Sequence, residues 1–114
     1  AAARRFVHSF DPCSYLYLSR AMDWFNVADG YPDLEAALAG IRLKSACVIG
    51  VESDILFPAY QQKEIADALL CNGIDTSVAN LESIMGHDAF LVDYDHFNPH
   101  VKAYFDRVWY EDRL

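Results

Sequence analysis

The sequence predicts an α/β fold, and three observations predict it. Residues 46–51, "ACVIGV", form a short continuous run of apolar and β-branched residues. That is the pattern of a strand buried on both faces of a parallel sheet. A weaker strand pattern follows at 76–82, "TSVANLE". Between them, "AYQQKEIADALLCNG" has helical periodicity, and another helical pattern closes the chain. Strand, helix, strand, loop, helix is the rhythm of an α/β sandwich.

The elements follow in order. In "FDPCSYLYLSRAMDWF", Asp11 is placed to cap a helix and Pro12 suits its first position. Tyr15, Leu18, Met22 and Phe25 recur at helical spacing on one face, and Leu16, Ser19 and Asp23 on another. Gly30 and Pro32 break the pattern in "NVADGYPD". A short helix runs from about Asp33 and ends at Gly40. The strand 46–51 leads into Glu52, Ser53 and Asp54. The next helix turns Ile65, Leu69 and Leu70 inward and stops at Gly73. After the second strand comes the loop "ESIMGHDAFL", then a helix from about Asn98 to Tyr110 carrying Val101, Tyr104, Phe105 and Val108.

Composition narrows the function. The 114 residues suffice for one small domain, and 54% hydrophobic with 23% charged residues is a globular balance. A formal charge of −8 argues against nucleic acid and against an anionic membrane surface. No apolar run approaches the roughly 20 residues that span a bilayer. The start, "AAARRFVHSF", has no apolar h-region, so no signal peptide is read and a cytoplasmic protein is expected. Cys13, Cys47 and Cys71 are odd in number and lack CxxC spacing, which points to reduced, small buried thiols. No strand precedes the first helix, an opening that suggests part of a longer architecture.

Functional residues of open α/β sheets collect just past the carboxyl ends of strands. Asp54 follows the first strand and His87 the second, 33 residues on, with one helix between. Adjacent parallel strands bring both to one edge. An Asp on one ring nitrogen fixes the tautomer of the other and stabilises the imidazolium. The order Asp then His, each after a strand, is the second half of the order Ser, Asp, His. Spacing alone leaves the plainer reading open: a turn aspartate and a core histidine.

The segments "VIGVESDILFPAYQQKEIADAL" and "LESIMGHDAFLVD", preceded by "SFDPCSYLYLSRAMDWFNV", resemble the C-terminal part of the homoserine O-acetyltransferase family. The likeness runs from about Phe6 to Phe105. It implies the C-terminal part of an α/β-hydrolase fold, with residues 1–31 ending a helical lid and 32–114 belonging to the core. It implies an acyltransferase of methionine biosynthesis that moves an acyl group from acyl-CoA to homoserine or a related hydroxy amino acid. Acyl-CoA is then a co-substrate, no cofactor or metal is required, and the full-length enzyme is a homodimer. By position, Asp54 of "SDILFP" is the triad acid and His87 of "GHDAFL" the base. Asp88 matches the position that contacts the acceptor's amino group. One departure is large. No G-x-S-x-G occurs, and none of the serines has the context of a nucleophile elbow. The nucleophile, the oxyanion hole and a substrate-binding arginine are therefore expected upstream.

Other sites were weighed. His96 and His100 have the i, i+4 spacing of a metal pair, but the His-Glu-x-x-His pattern is missing and Pro99 is expected to start a helix there. "DYDHFNP" lacks the glycine and final Glu of a calcium loop, so a solvated acidic loop is expected. Cys71 has no cation nearby to activate it. The Tyr15, Tyr17, Trp24 and Phe25 side chains could line a substrate channel, but read first as a packing face of a lid helix or a dimer contact. Two other classes stand beside the transferase: a hydrolase of the same fold, and a non-catalytic piece whose exposed half-sheet drives association.

Overall fold

In the computed structural model, which describes residues 2–111, two parallel strands lie between helices. The order is α1 (Ala2–Ser9), α2 (Pro12–Trp24), α3 (Leu34–Leu38), β1 (Ser45–Val51), α4 (Ala59–Cys71), β2 (Asp75–Leu81), α5 (Ala89–Val92) and α6 (Tyr94–Glu111). A single 3-10 turn, Gly86–Asp88, precedes α5. β1 and β2 pair from Ser45 opposite Asp75 to Val51 opposite Leu81. This in-register pairing ends both strands at the same level.

Local chemistry explains the helix starts. The Asp11 carboxylate accepts from the Ser14 amide at 2.8 Å, and Pro12 opens α2 where a missing N–H costs nothing. Asp33 accepts from the Ala36 amide at 2.8 Å and starts α3. Helix α1 falls in a stretch where no helix was expected.

Helix α6 begins at Tyr94, four residues before the expected start, and contains Pro99. Asp93 makes the early start possible, because its carbonyl accepts from the Phe97 amide at 3.1 Å. A turn is thus set before the proline, whose ring removes only the bond to the carbonyl four residues back.

The core has two centres. Leu38, Ala68, Leu69 and Ile74 join α3, α4 and the start of β2. Val51, Leu81 and Ala89 join the strand ends to α5. Helix α4 packs through Ala66, Ala68 and Leu69, while Ile65 and Leu70 are exposed, against the expectation that both face inward. Helix phase is the reason: Gln62 lies over Gly50, where a Cβ would be 3.4 Å from its Cγ, and Ala66 and Leu69 follow Gln62 at i+4 and i+7 on the same face.

β1 is less enclosed than its composition predicts. Gly50 and Val51 are buried and Ser45 to Ile49 only half-buried, since among the described residues one edge alone is paired. The thiols also differ from expectation: Cys13 and Cys71 are exposed and Cys47 is half-buried. Helix α2 buries no residue. The radius of gyration is 17.7 Å, against about 13 Å for a compact domain of this length.

Candidate active site

The site is built where the strands stop. Past Val51 the chain turns, with the Asp54 amide donating to the Val51 carbonyl at 3.1 Å. This turn folds the Asp54 side chain back over its own loop. One carboxylate oxygen, Oδ1, accepts from the Leu56 amide at 2.8 Å and the Phe57 amide at 2.9 Å. The other, Oδ2, lies 3.0 Å from Nδ1 of His87. Only 9% of the Asp54 side chain is exposed. Desolvation pushes its carboxyl up, but the Phe57 amide, the His87 ring and the Leu56 amide together outweigh this and hold it below the ordinary value.

His87 arrives from the other strand. Leu81 is buried at the end of β2, and Gly86 turns the loop with a φ of +61°, a conformation that suits glycine. The 3-10 turn then lifts His87 toward Asp54, and fully buried Ala89 pins the start of α5 against Val51 and Leu81. The ring sits beside Phe57 and Phe90, with centroids 5.0 and 5.8 Å away. An ionised carboxylate only accepts hydrogen bonds, so the proton belongs on Nδ1 and Nε2 keeps its lone pair. At 37% exposure the ring is open on one side. The arrangement is that of an oriented proton acceptor.

Asp88 directly follows His87 and is exposed. Its carboxylate makes no capping bond to α5 and has no hydrogen-bond partner among the described residues.

Sequence reading missed a polar network beneath the site. The Ser53 hydroxyl donates to the Ser83 carbonyl at 2.5 Å and accepts from the Gly86 amide at 2.9 Å. Buried Ser83 donates its own hydroxyl to Asp93, whose other oxygen lies 2.7 Å from Nδ1 of His96. The Ser83 and His96 bonds, in that order, lower the Asp93 carboxyl despite its partial desolvation. Asp93 raises the His96 imidazole by hydrogen bond and by charge, with Asp95 and Glu82 adding to it. Ser83 is no nucleophile in this geometry, since it donates to a carboxylate rather than to an imidazole. No signal in the sequence pointed to it, because the helix that Asp93 opens was expected to start only near Asn98.

The rival sites take other forms. His96 turns to Asp93, and among the described residues no three metal-type side chains converge. Glu35 raises the Cys71 thiol, first by hydrogen bonding and then by charge. The aromatic side chains of α2 are exposed, and the Arg20 guanidinium lies 4.3 Å above the Trp24 ring. No helix among the described residues is long and apolar enough to cross a membrane.

No family profile matches the chain. It is 54% identical over 109 residues to a serine O-succinyltransferase of Stenotrophomonas maltophilia strain K279a, and 51% identical over 107 residues to one of Xylella fastidiosa strain M12. Each alignment takes in 93% of this chain and 29% of the relative. In structure it is similar to the crystal structure of homoserine O-acetyltransferase from Bacillus anthracis, with a TM-score of 0.71 at 29% identity. That match covers 82% of this chain and 25% of the other. The chain belongs to the homoserine O-acetyltransferase family. It matches a C-terminal portion of the family's members and spans less than a third of the two succinyltransferases' length. The two parallel strands and their helices are thus part of the α/β-hydrolase fold of these acyltransferases.

Proposed function

We propose that this chain carries the acid–base half of a Ser-Asp-His triad in an O-acyltransferase, whose serine lies outside these 114 residues. The observation that carries the reading is the 3.0 Å contact between Asp54 Oδ2 and His87 Nδ1 at the carboxyl ends of adjacent parallel strands. Asp54 is the orienting acid and His87 the base. The serine gives its proton to Nε2 of His87 as its oxygen attacks the thioester of acyl-CoA. The C–O bond forms, the C–S bond breaks, and His87 returns the proton to the departing thiolate. The hydroxyl of an amino acid then loses its proton to His87 and takes the acyl group; the ester C–O bond to the serine breaks, and His87 returns the proton to the serine oxygen. Asp88, exposed one residue beyond the base, pairs with the ammonium group of that acceptor.

The acceptor class is serine or homoserine. Higher identity to serine O-succinyltransferases than to the homoserine O-acetyltransferase favours serine and a succinyl donor. Helices α1 and α2, with their exposed aromatic rings, belong to a lid over the site and to the contact between two enzyme copies. Residues 1–31 form this lid segment and 32–114 the core portion.

The test uses the complete polypeptide that carries these residues. Supplied with succinyl-CoA or acetyl-CoA and with serine or homoserine, it should release CoA thiol in step with acylated amino acid. A folded polypeptide that acylates neither acceptor overturns the reading.

A further inference from the structure

The loops that carry Asp54 and His87 belong to different strands, and something must fix the distance between them. Their own hydrogen bond is one link, and the imidazole, open to one side, can still swing away from it. A second link lies directly beneath. Ser53, the residue before Asp54, contributes a single hydroxyl that touches the opposite loop twice. It donates to the Ser83 carbonyl at 2.5 Å and accepts from the Gly86 amide at 2.9 Å. Gly86 is the residue before His87. The two site residues are therefore each one peptide away from the same hydroxyl.

The anchor at the far side is firm. Ser83 is 3% exposed, its hydroxyl accepts from the Met85 amide at 3.3 Å and donates to Asp93, and Asp93 holds the first turn of α6. Ser53 thus ties the Asp54 loop to a segment that is already fixed at both ends.

We propose that Ser53 is a positioning residue, whose hydroxyl sets the separation of the two loops and so keeps His87 in hydrogen-bond register with Asp54. Without the hydroxyl, the Gly86 amide and the Ser83 carbonyl lose a shared partner, and the turn that lifts His87 is free to shift. A displacement near 1 Å in a catalytic base costs on the order of 10²-fold in rate. This role rests on the proposed use of Asp54 and His87 in acyl transfer, and its test is arranged to separate the two ideas.

The experiment compares Ser53→Ala and Ser53→Thr in the complete polypeptide. Ser53 is exposed, so neither change opens a core cavity. Nitrogen-15 labelling of histidine, with His87→Gln to assign the ring, reports tautomer and titration of His87. Ser53→Ala should lose the fixed Nδ1–H tautomer, and kcat should fall about 10²-fold with both KM values nearly unchanged. Ser53→Thr, which keeps the hydroxyl, should restore both. An unaltered His87 ring in Ser53→Ala overturns the proposal, and so does a threonine variant as impaired as the alanine one. A polypeptide in which the ring is altered by Ser53→Ala but no acyl transfer occurs in any form supports the positioning role and overturns the catalytic reading.

Discussion

His87 Nδ1 meets Asp54 Oδ2 at 3.0 Å across 33 residues of chain. The carboxylate is held from three sides, by two amides and the ring, so it is an immobile partner for the imidazole. Asn at position 54 can keep the two amide bonds and yet present its NH2 to the ring, which favours the wrong tautomer. Asp54→Asn should therefore lower kcat of the complete enzyme by about 10³–10⁴-fold with the fold intact. His87→Ala should cost at least as much. Steady-state kinetics with far-UV circular dichroism checks both, and an Asp54→Asn enzyme near wild-type rate removes Asp54 from the mechanism.

Asp88 gives a prediction that separates the half-reactions. If its free carboxylate pairs with the acceptor ammonium, Asp88→Asn should raise KM for the amino acid about 10- to 100-fold, the worth of a charge-assisted hydrogen bond. Acylation by acyl-CoA, followed as a thiol burst without acceptor, should hardly change. Equal loss in both half-reactions means that Asp88 acts on His87 instead.

What the sequence made legible, and what it hid, divides by the range of the interactions. Asp11, Pro12 and Asp33 act within a turn of their own positions, and their caps could be read directly. The Asp54–His87 juxtaposition was readable because strand ends convert sequence spacing into proximity and the likeness of "SDILFP" and "GHDAFL" to the family's blocks singled out these two residues. The Ser53–Ser83–Asp93 network was not, because hydroxyls contribute no periodicity and their partners are chosen by backbone turns around Gly86. The inward face of α4 was read in part: Leu69 is buried as hydrophobicity predicts, while Ile65 and Leu70 are exposed and Ala66, in phase with Gln62 over Gly50, is buried instead. Pro99 was misplaced because a carbonyl from Asp93 had already started the helix.

Gly86 should be intolerant of a side chain. Its φ of +61° is strained for other residues, although a Cβ there would meet Ser53 O only in ordinary contact, at 3.6 Å. The penalty of Gly86→Ala is then in the backbone, about 1–2 kcal/mol. Chemical denaturation should show this loss. The same variant should disturb the His87 resonance, since the two residues share the 3-10 turn.

The Asp93–His96 pair gives stability a pH dependence whose sign is fixed. The His96 imidazole is raised, so its contribution is complete below the ordinary 6.5 and is lost as pH rises through the higher folded value. The Asp93 carboxyl is lowered, so its contribution is present above the ordinary 3.8 and is lost as pH falls through the lower folded value. Both are in place between these limits. His96 is more than half exposed, so water screens the pair and the effect is small. His96→Gln should flatten the alkaline side of a plot of Tm against pH, and an unchanged slope there places the dependence elsewhere.

The last prediction concerns these 114 residues by themselves. They hold the proposed base and its orienting acid, and no serine in them has the context of a nucleophile elbow. Taken alone, they should release no CoA above background from acyl-CoA. Their surface predicts a second property. Among the described residues β1 has one edge paired and the other open, and Tyr15, Leu18, Met22 and Phe25, which recur on one face of the α2 region, stand exposed. An open apolar edge is a template for strand addition, and an uncovered aromatic helix face is a template for packing. The chain alone should therefore self-associate, with the amides of β1 exchanging faster than those of a strand paired on both sides. Sedimentation and hydrogen exchange measure both. A monodisperse monomer with β1 strongly protected contradicts the association. A burst of CoA equal to the chain concentration contradicts the chemistry, and would assign the nucleophile to a residue of this chain.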